Sequence, residues 1–239
     1  MKLARIAKTL TDRMLQPWGI GLNYSQLVIR QDWLKALGIR TVLDIGANTG
    51  QFAAKIRGVL PDSYIYSFEP MRDAYASLLS ERGREPGFRA FNFALGDEDA
   101  KTFIHRSGYS PSSSLLPMLE LHRAAWPHTG EVGMEEIEVR RLDTLDLFIE
   151  PSVLVKIDVQ GFEDRVIAGG RVTIAAAACV ITEVSFQRLY EGQPLFDDIY
   201  RMLRDMGFEY RGNWDQLPDP RNGSPLQADA IFINPANLS

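Results

Sequence analysis

Two carboxylates and one acid-glycine block hold the residue types in this chain that can do chemistry. Asp158 ends the apolar run Val153-Leu154-Val155-Lys156-Ile157, and Glu183 ends the apolar run 176–182. Carboxyl groups at the ends of two buried-type strands can take a proton from an attacking hydroxyl or orient it. As a pair they can also hold a hard cation such as Mg²⁺ against a substrate oxygen. The block is Asp44-Ile45-Gly46-Ala47-Asn48-Thr49-Gly50-Gln51-Phe52, where an apolar run ends in an acid and passes two glycines four apart. It then enters a segment with helical spacing. A strand, a tight turn and a helix start bring backbone N–H groups and the positive helix end to an anionic part of a nucleotide-like ligand. The next strand candidate, Tyr64 to Phe68, stops on Glu69-Pro70. An acid there can accept both hydroxyls of a ribose. The two segments together predict a nucleoside-cofactor site.

Which cofactor follows from what is missing. A dinucleotide fingerprint has a third glycine between the outer two, so that pyrophosphate lies on bare backbone; here Ala47, Asn48 and Thr49 fill the interval. Asp44 would repel a pyrophosphate, yet it can pair, directly or through water, with a cationic amino group. S-adenosylmethionine has an ammonium and a carboxylate on its methionine end, a ribose, an adenine and no phosphate. These residues therefore favour the sulfonium methyl donor over NAD. The plain alternative is that Asp44 caps a helix and the glycines only make a turn.

The elements that position these groups alternate. Residues 1–40 read as a helical extension, closed by Gly38 as a C-cap. From Thr41 strands and helices follow one another, the signature of a parallel sheet in residues 41–239. Strands are expected over 41–45, 64–68, 88–94, 137–142, 153–157, 176–182 and 228–233. Helices are expected after Gly50, from Met71, from about Asp143, after Asp158 and from Leu195 to Met206. Gly212 to Pro225 reads as a loop. The route from Phe208 to Ile233 suits a hairpin that reverses the last strand. The stretch from His105 to Ser114 is a polar loop of the kind that covers sites, and its continuation to Glu136 has no firm period.

Composition narrows the classes further. The chain has 239 residues, 45% hydrophobic and 24% charged, with a formal net charge of −5. That suits one globular domain with an appendage and argues against a nucleic-acid partner. The single cysteine, Cys179, lies in an apolar run and reads as a small buried hydrophobe, which fits a reducing, cytoplasmic setting. No stretch approaches the ~20 apolar residues of a membrane span. Leu3, Ile6, Ala7, Leu10 and Met14 share one helical face with Lys2, Arg5, Lys8 and Arg13 elsewhere. Such a helix either packs on its own domain or a dimer mate, or makes peripheral membrane contact; a monomer and a homodimer both remain open.

Several blocks together resemble one family. Asp44-to-Phe52, Phe68-Glu69-Pro70, Asn92-to-Asp97, the serines around Ser113, Thr144-Leu145-Asp146, Lys156-to-Glu163, Tyr190-to-Gln193, Gly207-Phe208 and Asp229-to-Phe232 are similar to the FkbM family of S-adenosylmethionine-dependent methyltransferases. The resemblance implies a Rossmann-like three-layer αβα sandwich, its seven-stranded sheet mostly parallel with the last strand antiparallel. It also implies O-methylation of a glycan or secondary-metabolite hydroxyl. Many members carry Glu where this chain has Gln160, which removes one candidate charge. The expected cofactor contacts are Asp44, Gly46, Ala47, Asn48, Gly50, Gln51, Phe52, Glu69 and Pro70, with Asn92, Ala94 and Asp97 toward the adenine and Asp158 beside the methyl. Asp158, Glu183 and His105 are the catalytic candidates. Lys156 could neutralise Asp158, contact a substrate acid or make a structural ion pair. Glu163 meets a helix N-terminus. Ser112, Ser113 and Ser114 either bond ligand or form a turn, and Tyr109, Trp126 and Trp214 could stack on a sugar. An NAD-linked oxidoreductase and a non-catalytic binding protein are the competing readings.

Overall fold

The computed structural model describes residues 32–238; the expected amphipathic helix near the N-terminus lies outside them. Helix α1 (Asp32–Ala36) stops before Gly38, whose φ of +63° is the left-handed conformation expected of a C-terminal glycine. Then come β1 (Thr41–Ile45), α2 (Gln51–Val59), β2 (Tyr64–Phe68), α3 (Arg72–Arg82) and β3 (Phe88–Phe91). A second group follows: β4 (Ala94–Leu95), β5 (Ala100–Ser107), α4 (Glu120–Ala125) and β6 (Glu131–Arg140). The chain returns through β7 (Val153–Ile157), α5 (Glu163–Gly169), α6 (Arg171–Ala175), β8 (Cys179–Ser185), α7 (Phe196–Asp205), β9 (Glu209–Pro218) and β10 (Pro225–Ile233).

Seven strands form one sheet in the order β3-β2-β1-β7-β8-β10-β9. β3, β2, β1, β7 and β8 pair in parallel, and β10 is antiparallel to both β8 and β9, so β10 alone is reversed. β1 and β7 are buried at every position, as strands covered on both faces must be. Leu43, Ile45, Val155 and Ile157 pack with Val166 and Ile167 of α5 and with Ile199 and Leu203 of α7. Val42, Ile65 and Leu154 point to the other face and are equally buried, as are Ala53 and Ile56 of α2. Helix, sheet and helix layers follow from that alternation.

The strand expected over 88–94 breaks into β3 and β4, which join different sheets, and the helix expected from about Asp143 is a single 3-10 turn, Leu142–Thr144. Three further departures each come through a partner that local sequence does not show. β8 runs on past Glu183 to Ser185 because β10 continues the ladder there, pairing Asp229 with Glu183 and Gln227 with Ser185. Much of the segment read as a loop is β9, which pairs along β10 up to Pro218 with three register shifts. As an edge strand it tolerates Gly212 and a terminal proline. The irregular middle contains a second sheet, β4-β6-β5, so that His105 lies inside β5 and only the residues after Ser107 form the loop.

Candidate functional site

Sheet order reverses between β1 and β7, and the connections leaving their carboxyl ends diverge there, which is where open α/β sheets place ligands. A cleft of 330 Å³ opens at this point. Gly46 makes it possible. Its φ is +81°, and a Cβ on it would sit 1.9 Å from the carbonyl oxygen of Asp158, so β1 and β7 can end side by side only with glycine here. Gly50 is similarly constrained, at φ +91° with Leu78 behind it. It shapes the turn and does not line the cleft. Asn48, also left-handed at φ +47°, donates its Nδ2 to Ser110 Oγ at 2.6 Å and so ties the turn to the loop above.

The turn's own N–H groups are spent within the protein, contrary to the simple cradle expected of it. Gly46 N and Ala47 N both donate to Phe68 O, Asn48 N to Glu69 Oε2, Thr49 N to Asn48 Oδ1, and Gly50 N to Ala47 O. Donors for a ligand carboxylate are left at the first turn of α2, where N–H groups have no intrahelical acceptor and Gln51 and Phe52 line the cleft.

Glu69 and Pro70 also line it. The Glu69 carboxylate accepts Asn48 N and Met71 N at 2.8 Å, one on each oxygen, which fixes its plane. Burial pushes its pKa up to about 7, only partly offset by the Met71 and Asn48 N–H groups. Asn92 does not reach the cleft; its Nδ2 bonds the carbonyls of Glu69 and Pro70 at 3.0 and 2.9 Å and braces the corner that presents Glu69. Ala94 and Leu95 form cleft wall, with Ile104 and Leu115. Asp97 is held by Arg165 at 2.7 Å and is not part of that wall.

Asp44, expected to pair with an ammonium directly or through water, does not line the cleft itself. Only 1% exposed, it accepts Ser67 Oγ at 3.0 Å beneath the cleft. Burial raises its pKa to about 6 despite Ser67 and nearby Lys156.

Lys156 is the hub of the cleft floor. Its ammonium lies 2.9 Å from Asp229 Oδ1 and 3.3 Å from Asp158 Oδ2. Burial opposes its charge, but the Asp158, Asp229 and Glu183 carboxylates more than offset this and hold its pKa above the usual lysine range. Gln160, left-handed at φ +55°, joins the two catalytic candidates: its Nε2 donates to Asp158 Oδ1 at 2.8 Å and to Glu183 Oε2 at 3.0 Å. Its Oε1 accepts the Tyr190 hydroxyl at 2.9 Å, and that hydroxyl lies 3.2 Å from His122 Nε2. Burial lowers the His122 pKa to about 4, so this imidazole is neutral at pH 7. Glu163 closes the Asp158–Glu163 loop by accepting Val159 N and Gly161 N, a tighter role than helix-dipole contact alone. Burial, followed by Asp158 and Glu163, raises the Glu183 pKa well above the carboxylate range.

Asp158 and Glu183 thus come together as expected, bridged by an amide donor with an ammonium on Asp158. Both Asp158 oxygens and Glu183 Oε2 already accept N–H donors, so this arrangement does not suit Mg²⁺, which needs free oxygen ligands; among the described residues no group of three or more Asp, Glu, His or Cys converges on a metal position. His105 is not brought to them. Its Nδ1 pairs with Glu131 at 3.1 Å and it borders a separate small cavity. Of the serines, Ser113 lines the cleft, while Ser114 donates to the Gln160 carbonyl at 2.6 Å and helps hold that loop. Trp214 carries the Lys55 ammonium over its ring at 4.5 Å. His122 and the hub role of Asp229 were not apparent beforehand. Asp229 carries a signal even so: a charge within Ala-Asp-Ala-Ile-Phe-Ile is expensive to bury unless paired.

Comparison with known proteins accords with this geometry. The methyltransferase FkbM domain matches residues 44–210. The chain belongs to the FkbM methyltransferase family. It is 32% identical over 160 residues to the 2-O-methyltransferase NoeI of Sinorhizobium fredii (strain NBRC 101917 / NGR234), spanning 64% of this chain and 66% of NoeI. It is 27% identical over 239 residues to the AMB antimetabolite synthetase AmbE of Pseudomonas aeruginosa, spanning 83% of this chain and 11% of AmbE. The solved FkbM methyltransferase of Methylobacillus flagellatus KT shares its fold, with a TM-score of 0.51 at 14% identity over 90% of this chain and 48% of that one. The chain therefore spans part of each relative's length.

The family's methyl donor is S-adenosylmethionine, and the cleft residues of this FkbM-family chain fit it. Glu69 keeps lone pairs for two ribose hydroxyls. Ala94, Leu95, Ile104 and Leu115 offer apolar wall for an adenine. Asp158, Asp229 and Lys156 supply both signs of charge for an amino-acid end.

Proposed function

We propose that this FkbM-family chain transfers the methyl group of S-adenosylmethionine to a hydroxyl oxygen of a glycan or small metabolite, working in the cytoplasm as a monomer or homodimer. The observation that carries the reading is the position of Asp158. It lines the donor cleft and also a second cavity, with Tyr109, Pro111 and Gln160 common to both. The name of the relative NoeI supports an oxygen acceptor. No helix among the described residues is long and apolar enough to cross a membrane.

Methyl transfer from a sulfonium is an in-line displacement, so the protein supplies alignment and a dry site. The donor, when bound, supplies the electrophilic methyl. An alcohol must still lose its proton during attack, and Asp158 accepts or orients it. Lys156 and Gln160 fix that carboxylate, each holding a different oxygen. Glu183, its pKa raised by burial, stands across the same amide from Asp158 and places a second carboxyl group at the cavity.

Asp158→Asn tests the assignment. Turnover should fall ~10²–10⁴-fold, the usual contribution of a positioned base, a loss much larger than the change in donor affinity measured by calorimetry. Unchanged turnover in both Asp158→Asn and Glu183→Gln would remove these residues from the mechanism. Absence of any methyl transfer by the intact chain would favour the binding-protein reading.

A further inference from the structure

Beyond Asp158 the donor cleft continues. The second cavity, of 460 Å³, shares Tyr109, Pro111, Asp158 and Gln160 with it. An acceptor placed there lies directly beyond the carboxylate assigned to its proton.

The rest of the lining is chemically selective. It holds Glu183 beside Asp158 and, of basic side chains, only the imidazoles of His122 and His128, so an anionic group entering it finds no ammonium or guanidinium of the cavity's own to pair with. Trp126 presents an indole, and Gln227 an amide. Gln227 is 3% exposed, yet its amide nitrogen has no hydrogen-bond partner. Whichever way the amide is turned, one polar end awaits an oxygen or a hydroxyl. Gln227 is also rigidly placed, in β10 between Ser185 of β8 and Leu217 of β9, so the vacancy belongs to the sheet and not to a mobile loop. An aromatic ring and hydrogen-bonding groups lining one cavity match a sugar ring, which has an apolar C–H face and a hydroxyl edge.

We propose that this cavity is the acceptor subsite, that it takes an uncharged glycosyl unit, and that Gln227 bonds one of its oxygens and selects it. The proposal rests on the methyl-transfer reading above.

Its test is saturation-transfer NMR on the full chain with S-adenosylhomocysteine. The probes are methyl glycosides of neutral hexoses and 6-deoxyhexoses, beside the matching uronic acids. Neutral probes should bind and uronic acids should not. Gln227→Leu should weaken neutral binding about 3–10-fold, the equivalent of one neutral hydrogen bond. It should not lower the melting temperature, because it removes a polar atom that has no partner. Should the Leu variant fail to fold, Gln227→Met removes the same amide with a more adaptable side chain. Equal binding of uronic acids, undiminished neutral binding by the variant, or no neutral binding at all would overturn the proposal. The two levels separate by activity. Methyl transfer with an acceptor KM unaffected by Gln227→Leu sinks the subsite alone, whereas Gln227-dependent glycoside binding without any methyl transfer sinks the methyltransferase reading alone.

Discussion

Replacing Glu69 by glutamine probes the donor site at its most constrained group. The wild-type carboxylate accepts a backbone N–H on each oxygen, from Met71 and Asn48, both at 2.8 Å. Glutamine keeps one oxygen and turns its amide nitrogen toward the other N–H, leaving a buried donor facing a donor. That costs about 1–3 kcal/mol in the turn, and the charge-assisted bonds to a ribose diol are lost as well. Donor affinity near pH 8 should therefore fall by about 10–100-fold, taking ~1.4 kcal/mol per tenfold. The pH dependence gives a second reading. Burial raises the Glu69 pKa from 4.5 to about 7. A raised folded-state pKa means that this group's stability contribution is complete below about 4.5 and is lost as pH rises through about 7. The loss amounts to about 3 kcal/mol at ~1.4 kcal/mol per pKa unit. Ribose hydroxyls donate to the ionised form, so donor binding to wild type strengthens over that same window. Calorimetric titration of wild type and Glu69→Gln with S-adenosylhomocysteine, at about pH 5.5 and about pH 8, should show the affinity gap widening with pH. Equal affinity near pH 8, or a gap that does not change, would refute the reasoning.

Two further substitutions have defined outcomes. Lys156→Met leaves Asp158, Asp229 and Glu183 without their shared cation; because Asp158 and Asp229 are partly exposed, the cost is about 1–3 kcal/mol, the range for lost hydrogen bonds to charged groups. Denaturant titration should find that loss at neutral pH and a smaller one in acid, where the carboxylates can protonate. Gly46→Ala puts a Cβ 1.9 Å from the Asp158 carbonyl at a φ of +81°. It should abolish donor binding and lower stability by at least the ~1–3 kcal/mol typical of overpacking, read by thermal melts with and without S-adenosylhomocysteine.

Much of the donor half was legible because its determinants are local. Asp44-to-Phe52 and Phe68-Glu69-Pro70 encode strand, turn and helix within a few residues, and the structure places Gly46, Ala47, Asn48, Gln51, Phe52, Glu69 and Pro70 on one cleft. What failed was non-local. Glu183 looked like a strand end because nothing near it shows that β10 continues the ladder to Ser185. His105 looked like a loop residue because the half of β6 that pairs with it, Glu131 to Glu136, is mostly exposed, and buried alternation starts only at Ile137. The bond from Ser67 on the neighbouring strand to Asp44 is likewise invisible in local sequence. Gln160 appeared only as a lost charge. Its function as the bridge between Asp158 and Glu183 depends on a loop conformation that Glu163 and Ser114 fix from outside.

The central claim is that a donor on the β1–β2 corner meets a hydroxyl acceptor across Asp158. The most direct measurement is NMR of the products formed when the chain is incubated with S-adenosylmethionine carrying a ¹³C-methyl group and a panel of neutral glycosides. The account predicts a new methoxy carbon correlated to one sugar ring position, and its absence with Asp158→Asn. A labelled methyl on nitrogen or carbon, or undiminished methoxy formation by the variant, would contradict it.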